Sequence, residues 1–178
     1  MIRQKQNTIL TKPLPSNPYV AGNPIRDPKG FFGRQDVIRE VMRVVRHPQE
    51  NAIVLYGQRR IGKTSVLLQL EHSLTKTEFV PVYYDLQDKA ATSLGLVLFE
   101  LALRIAKATS VEAPKRNSFD PEGAFFSQKF LPRIANTRSK KGLILLFDEF
   151  DILDNPQKNQ ASTTFFPYLR TLISEIKQ

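Results

Sequence analysis

The chain contains no cysteine, which excludes disulfides, thiol nucleophiles and cysteine-ligated metals and agrees with a reducing cytoplasm. Its only histidines, His47 and His72, lie far apart on expected helices without the spacing of a metal pair. Both are expected to face solvent. No uninterrupted apolar run approaches a membrane span, so no membrane partner is expected. The opening residues, Met1 to Thr8, are basic but lack the apolar centre of a secretion signal. Also missing are a basic patch interleaved with aromatics and any DNA-reading motif. The 26 Lys+Arg against 17 Asp+Glu give a formal charge of +9, yet the basic residues are scattered and the densest cluster is Arg138-Ser-Lys140-Lys141. That pattern suits a solvated surface, one that attracts nucleotides and other anions in a salt-dependent way.

What is present suffices for one core. At 178 residues, 41% hydrophobic and 24% charged, the chain is one domain of ordinary size or a piece of a larger one. Its organising stretch is Gly57-Gln-Arg-Arg-Ile-Gly62-Lys63-Thr64, which fits G-x-x-x-x-G-K-[ST], the loop that wraps a nucleotide's phosphates in backbone N–H groups. Before it, Ala52-Ile-Val-Leu-Tyr56 is short, apolar and partly β-branched, and predicts a buried parallel strand. After it, Val66, Leu67, Leu70 and Leu74 recur at helical spacing. Strand, glycine loop and helix is the order such a loop requires. Gly57 and Gly62 are expected to supply positive φ and close approach to phosphate. Gln58, Arg59, Arg60, Ile61 and Ser65 complete the cradle, in which loop amides and a helix N-terminus form an anion nest. Lys63 is expected to reach the β- and γ-phosphates, and Thr64 to ligate Mg²⁺.

Elsewhere the chain reads in simple segments. Residues 1–30 carry Pro13, Pro15, Pro18, Pro24 and Pro28, which forbid a continuous helix and suit an extended arm. Tyr19, Val20 and Ile25 are its candidate docking residues, and residues 31–178 form the domain proper. Phe31-Phe32-Gly33-Arg34 precedes a helix running to about His47, with Val37, Ile38, Val41, Val44 and Val45 on one face and Pro48 as its stop. Phe31 and Phe32 read either as core anchors or as functional groups. Phe79–Tyr84 is a second strand, whose Pro81 argues for a sheet edge. Asp85, just beyond, is either a site residue or a loop residue with a local hydrogen bond. Ser93–Thr109 is helical, burying Leu94, Val97, Leu98, Leu101, Ala102 and Ile105, with Phe99 and Leu103 widening the apolar face. Glu122–Asn136 is helical in tone, though Pro132 must kink or break it. A last helix is expected with Thr164 as cap, Pro167 in its first turn and Leu169, Leu172, Ile173 and Ile176 as its stripe.

Gly142-Leu-Ile-Leu-Leu-Phe147 is the most strand-like run, and it ends in Asp148-Glu149. An acidic pair at the carboxyl end of a buried strand is what a Mg–nucleotide site needs. Asp148 would bind the metal, while Glu149 would orient and deprotonate the attacking water, leaving Glu149 and Lys63 as the candidate catalytic groups. An acidic loop capping the next helix is the alternative. Asp151 and Asp154 read as surface or cap residues.

Together, Gly57–Thr64 and Leu143–Glu149 resemble the Walker A and Walker B motifs of additional-strand P-loop ATPases, the AAA+ and STAND (signal-transduction ATPase) groups. The series Phe-Phe-Gly-Arg, a helix, then Leu-Tyr-Gly-Gln-Arg-Arg-Ile-Gly-Lys-Thr-Ser is similar to prokaryotic STAND-like ATPases and to their origin-recognition relatives. The likeness runs from about residue 17 to residue 178. It implies an α/β P-loop NTPase fold, three layers (αβα) about a mainly parallel sheet in the order 5-1-4-3-2. It implies ATP and Mg²⁺ as ligands, ATP hydrolysis, and Phe32, Gly33 and Arg34 beside the adenine; a cytoplasmic setting is the default expectation without a secretion signal or a membrane span. It also implies a strand after Walker B that carries a polar sensor residue. After Asp151 only a loop and one helix can be read, so strands 4 and 5 are expected to be missing and the chain to be the N-terminal part of a longer ATPase. Two alternatives stay open. One is a nucleotide-gated signalling module with little turnover, bound to a protein partner or to itself. The other, resting on charge and distant likeness alone, is a DNA-associated ATPase. No G-specific Asx-Lys-x-Asp run is present, which favours ATP over GTP.

Overall fold

The computed structural model describes residues 22–47, 52–137, 142–154 and 160–175. The expectations for Pro13, Pro15, Pro18, Tyr19, Val20, Pro48, the cluster at 138–141 and Ile176 fall outside the described residues.

Two strands pair in parallel, β1 (Phe79–Asp85) and β2 (Gly142–Asp148), in register from Phe79↔Gly142 to Asp85↔Asp148. Successive side chains on a strand point to opposite faces, so this register sorts both strands onto the same two sides. One face presents Phe79, Tyr83, Ile144 and Leu146, which pack with α1 (Gln35–Val45) and α2 (Lys63–Leu74). The other presents Val80, Val82, Tyr84, Leu143, Leu145 and Phe147, covered by α3 (Leu94–Thr109), α4 (Leu131–Thr137) and α5 (Gln160–Glu175). The molecule is a mixed α/β structure with a small parallel sheet. Among the described residues the outer edge of β1 has no ladder partner, and Pro81, with no N–H to give, suits that edge.

The helices follow from their apolar spacing. Ile38, Val41 and Val44 are buried on α1, with Val37 and Val45 half-buried beside them. On α2 every residue from Ser65 to Leu70 is buried, because the sheet, α1 and the arm each cover a side. The arm docks by its backbone: the Ile25 amide donates to Ser65 Oγ at 3.0 Å, and Gln69 Nε2 donates to the Ile25 and Arg26 carbonyls at 3.1 and 3.3 Å. Two buried polar side chains on α2 are thereby satisfied. On α3 all six expected core residues are buried, and Phe99 stacks edge-on with Phe119 at 5.4 Å. Leu103 departs from expectation, standing on the outer side at 37% exposure.

Two expectations are corrected. First, Ala52–Tyr56 forms no ladder and is not buried: Val54 is 82% and Tyr56 100% exposed, and only Leu55 packs against the α1–α2 cluster. Apolarity favours burial, but a strand also needs a neighbour for its N–H and C=O groups, and β2 is paired only with β1 among the described residues. Second, α5 begins at Gln160, so Thr164 and Pro167 lie within it rather than at its start. Phe165 meets Phe147 at 5.8 Å and Phe166 meets Phe150 at 4.7 Å, and these contacts hold the residues ahead of Pro167 in the helix. Of the kink or break expected at Pro132, the segment shows a distortion without a break. It widens into a π turn at Phe126–Phe130 and continues as α4, which relieves the conflict between a proline ring and the carbonyl one turn back.

That segment starts under one carboxylate. Asp120 accepts from the Ala124 and Phe125 amides, each at 2.8 Å, and the Phe125 bond is the main reason its pKa is held below the ordinary carboxylate value. Asp120→Ala is expected to cost about 1 kcal/mol at neutral pH, as loss of a helix cap does. A lowered folded pKa means the contribution is present above the ordinary carboxylate pKa and is lost as pH falls through the folded one. Denaturant melts of the two proteins should therefore differ at pH 7 and converge in strong acid.

Candidate phosphate loop and acidic pair

The 57–64 loop joins the exposed segment 52–56 to α2. Gly62 has φ 92° and opens the helix as its N-cap without any side-chain cap, and no acidic residue occupies the first turn. The first amides of α2 have no intrahelical acceptor and carry the positive end of the helix dipole. The second left-handed position of the loop is Arg60, at φ 61°, rather than Gly57 as expected. Gly57 sits close to a neighbour instead: a Cβ there would lie 3.1 Å from Ile61 Cγ2, a tight contact that the exposed Ile61 side chain would have to yield to.

Lys63 is half-buried, and its Nζ donates to the Gly57 carbonyl at 2.9 Å and to the Gln58 carbonyl at 3.2 Å. The ammonium thus folds back over its own loop, with one of its three protons to spare. Gln58, Arg59 and Arg60 are exposed. Arg34 joins them from a distance: Gly33 (φ 76°) and Arg34 (φ 57°) form a left-handed turn ahead of α1, and Arg34 Nη2 donates to the Ile61 carbonyl at 3.4 Å. Four cations, Arg34, Arg59, Arg60 and Lys63, therefore surround one loop. Phe32, next in the same turn, is 84% exposed. It is not a core anchor.

Across the same sheet face stands the acidic pair. Asp148 ends β2 at 5% exposure, on the side where Tyr83, Ile144 and Leu146 meet Val66, Leu67 and Leu70 of α2. The helix that carries the loop and the buried carboxylate are on one side of the sheet. Asp148 Oδ2 accepts the Tyr83 hydroxyl at 2.8 Å, and Oδ1 accepts the Glu149 amide at 3.0 Å. Glu149 leaves the strand at φ 52° and leads into a 3₁₀ turn, Phe150–Asp154. The left-handed residue turns the chain sharply, so the two carboxylates do not simply alternate as they would along a strand. Asp85 Oδ1 accepts the Gln87 amide at 2.9 Å, the local bond of a loop residue.

Sequence reasoning missed Tyr83. Burial, then its bond to Asp148, then the Asp148 and Asp85 charges push its pKa well above the ordinary phenol value. The alternation of β1 could have assigned it to the Asp148 face once β1 and β2 were taken as neighbours.

Donor chemistry fits magnesium. The Thr64 hydroxyl and the Asp148 carboxylate are hard oxygen donors, and Mg²⁺ is ordinarily held by one or two carboxylates together with substrate phosphates. Among the described residues no cluster of three acidic or histidine side chains could form a cage by itself. A cavity of about 460 Å³ between the start of α3, Arg116–Pro121 and α5 shares no residue with the loop or the acidic pair. A phosphate nest is an open array of amides, so enclosed volume is a poor guide to it.

Residues 31–173 match the family model described as an ATPase domain predominantly from Archaea. No curated protein and no solved structure matches the chain.

The φ of Glu149 carries a stability consequence. A side chain in the left-handed region costs roughly 1–2 kcal/mol, partly offset in glycine by its larger unfolded-state entropy. Glu149→Gly is expected to raise the thermal midpoint by roughly 1–4 °C. A lowered midpoint would mean that the carboxylate makes a stabilising contact outweighing its backbone strain.

Proposed function

Because the chain belongs to the ATPase-domain family found predominantly in Archaea, we propose that it binds Mg·ATP between the 57–64 loop and Asp148 and is an ATPase module of the additional-strand, STAND-like P-loop class, working in the cytoplasm. Membership suggests nucleotide binding and ATPase activity in general. The finer reading rests on one observation: α2, whose N-terminus is the loop, packs on the sheet face that ends in buried Asp148.

In this reading the amides of 57–65 receive the phosphates, and Lys63 exchanges its bonds to the Gly57 and Gln58 carbonyls for phosphate oxygens. Thr64 and Asp148 would hold Mg²⁺, which neutralises charge on the β- and γ-phosphates. Glu149 accepts the proton of the attacking water. Phe32, Gly33 and Arg34 are the base-side residues, supported by the tie from Arg34 to the loop and by a Phe32 ring open for stacking. The apolar segment 52–56, without a ladder partner among the described residues, supports the expected sheet order, in which the loop's own strand has a neighbour on each side.

A second reading, a nucleotide-gated module with slow turnover, is favoured by the exposed Phe32, Val54, Tyr56 and Ile61 around the loop. Such a surface suits a protein partner or self-association.

ATP at a hundred times its Kd should add about 2.7 kcal/mol of stability, a rise of roughly 5–11 °C in thermal midpoint. Lys63→Ala should remove that rise. Glu149→Gln should keep it and abolish phosphate release; release at the wild-type rate would exclude Glu149 as the base. A wild-type protein that shows the rise but releases no phosphate selects the second reading.

A further inference from the structure

Asp148 is held more firmly than a metal-binding carboxylate at a strand end requires. Rotation about its last side-chain bond is intrinsically broad and roughly two-fold. Here each oxygen has its own donor, the Tyr83 hydroxyl on Oδ2 at 2.8 Å and the Glu149 amide on Oδ1 at 3.0 Å. The donors come from different places, one from the neighbouring strand and one from the turn that follows. A carboxylate offers about four lone-pair sites, so each oxygen keeps one for a metal or a metal-bound water.

Tyr83 is itself fixed. It pairs in register with Leu146, its ring packs into the cluster formed with α2, and its carbonyl accepts Arg104 Nη1 at 3.3 Å. A phenol O–H is a hydrogen-bond donor at any pH where carboxylates are ionised and phenols are not, so Tyr83 can donate to Asp148 whenever Asp148 is a ligand. The next residue, Tyr84, points to the other face, where its hydroxyl lies 3.0 Å from Glu100 Oε2. Adjacent tyrosines thus serve different ends: one supports α3, the other the buried carboxylate.

We propose that Tyr83 is a positioning residue for magnesium, its hydroxyl setting the orientation in which Asp148 meets the metal of a bound Mg–nucleotide. The inference rests on Asp148 being the Mg²⁺ ligand. Magnesium demands near-ideal octahedral geometry, and partners that orient a ligand are commonly worth 10–100-fold in metal affinity.

The test is the coupling between metal and nucleotide, measured as the ratio of ADP affinities in Mg²⁺ and in EDTA by calorimetry. Taking the ratio within each protein cancels changes in folded stability. Tyr83→Phe should leave the EDTA affinity unchanged and lower the ratio by about tenfold, while Tyr84→Phe keeps the wild-type ratio. Asp148→Asn should bring the ratio close to one. A Tyr83→Phe ratio equal to wild type, or an equal loss in both arms, overturns the proposal, the latter by reducing Tyr83 to a structural role. A wild-type ratio above one that Asp148→Asn leaves intact removes Asp148 as ligand and Tyr83 with it. No ADP binding by wild type in either arm overturns the nucleotide reading on which both depend.

Discussion

Seven residues of β1 lie beside seven of β2, and their register decides on which side of the sheet each candidate group stands. Shifting the pairing by one residue would invert every side chain of a strand. Asp148 would then turn into the cluster around Phe126, Phe130 and Phe165, three fully buried rings. Burying an unpaired carboxylate there would cost several kcal/mol. In the observed register, the same alternation packs half-buried Leu145 and Phe147 against the cluster on one side and brings Asp148 to Tyr83 and the α2 side on the other. Packing and site placement have one cause.

Strain is distributed with the same economy. Among the described residues four non-glycine positions have positive φ, and three of them are Arg34, Arg60 and Glu149. One sits in the turn that touches the loop, one in the loop and one beside the buried carboxylate. Such conformations persist only where the surroundings impose them, and they gather at functional sites. These three outliers fall on residues that the sequence motifs single out. The stabilising contacts lie elsewhere, largely in the apolar cluster of α3, α4, α5 and the second sheet face.

Local patterns were legible in the sequence, and relations between segments less so. The loop at 57–64, the acidic pair and the apolar faces of α1 and α3 follow from spacing alone, because a motif or a helical period is complete within one segment. Two readings failed, and one contact was missed, for want of neighbours. Residues 52–56 are apolar enough to be buried, yet burial as a strand depends on what lies alongside. The start of α5 depends on where Phe165 and Phe166 find rings to pack against. Tyr83 looks like any strand tyrosine until the register sets its hydroxyl on Asp148. Gly57 failed differently, since glycine can signal either backbone twist or lack of room, and here the crowding atom is Ile61 Cγ2.

The open segment ahead of the loop bears on how molecules of this protein behave toward one another. Its uncovered Ile53, Val54 and Tyr56 offer apolar surface through which copies can meet. A formal charge of +9 opposes that approach, but only over a screening distance of about 10 Å at 0.1 M salt and about 3 Å at 1 M. Ionic strength thus governs colloidal behaviour: dilute buffer keeps molecules apart by mutual repulsion, and concentrated salt lets their sticky patches meet.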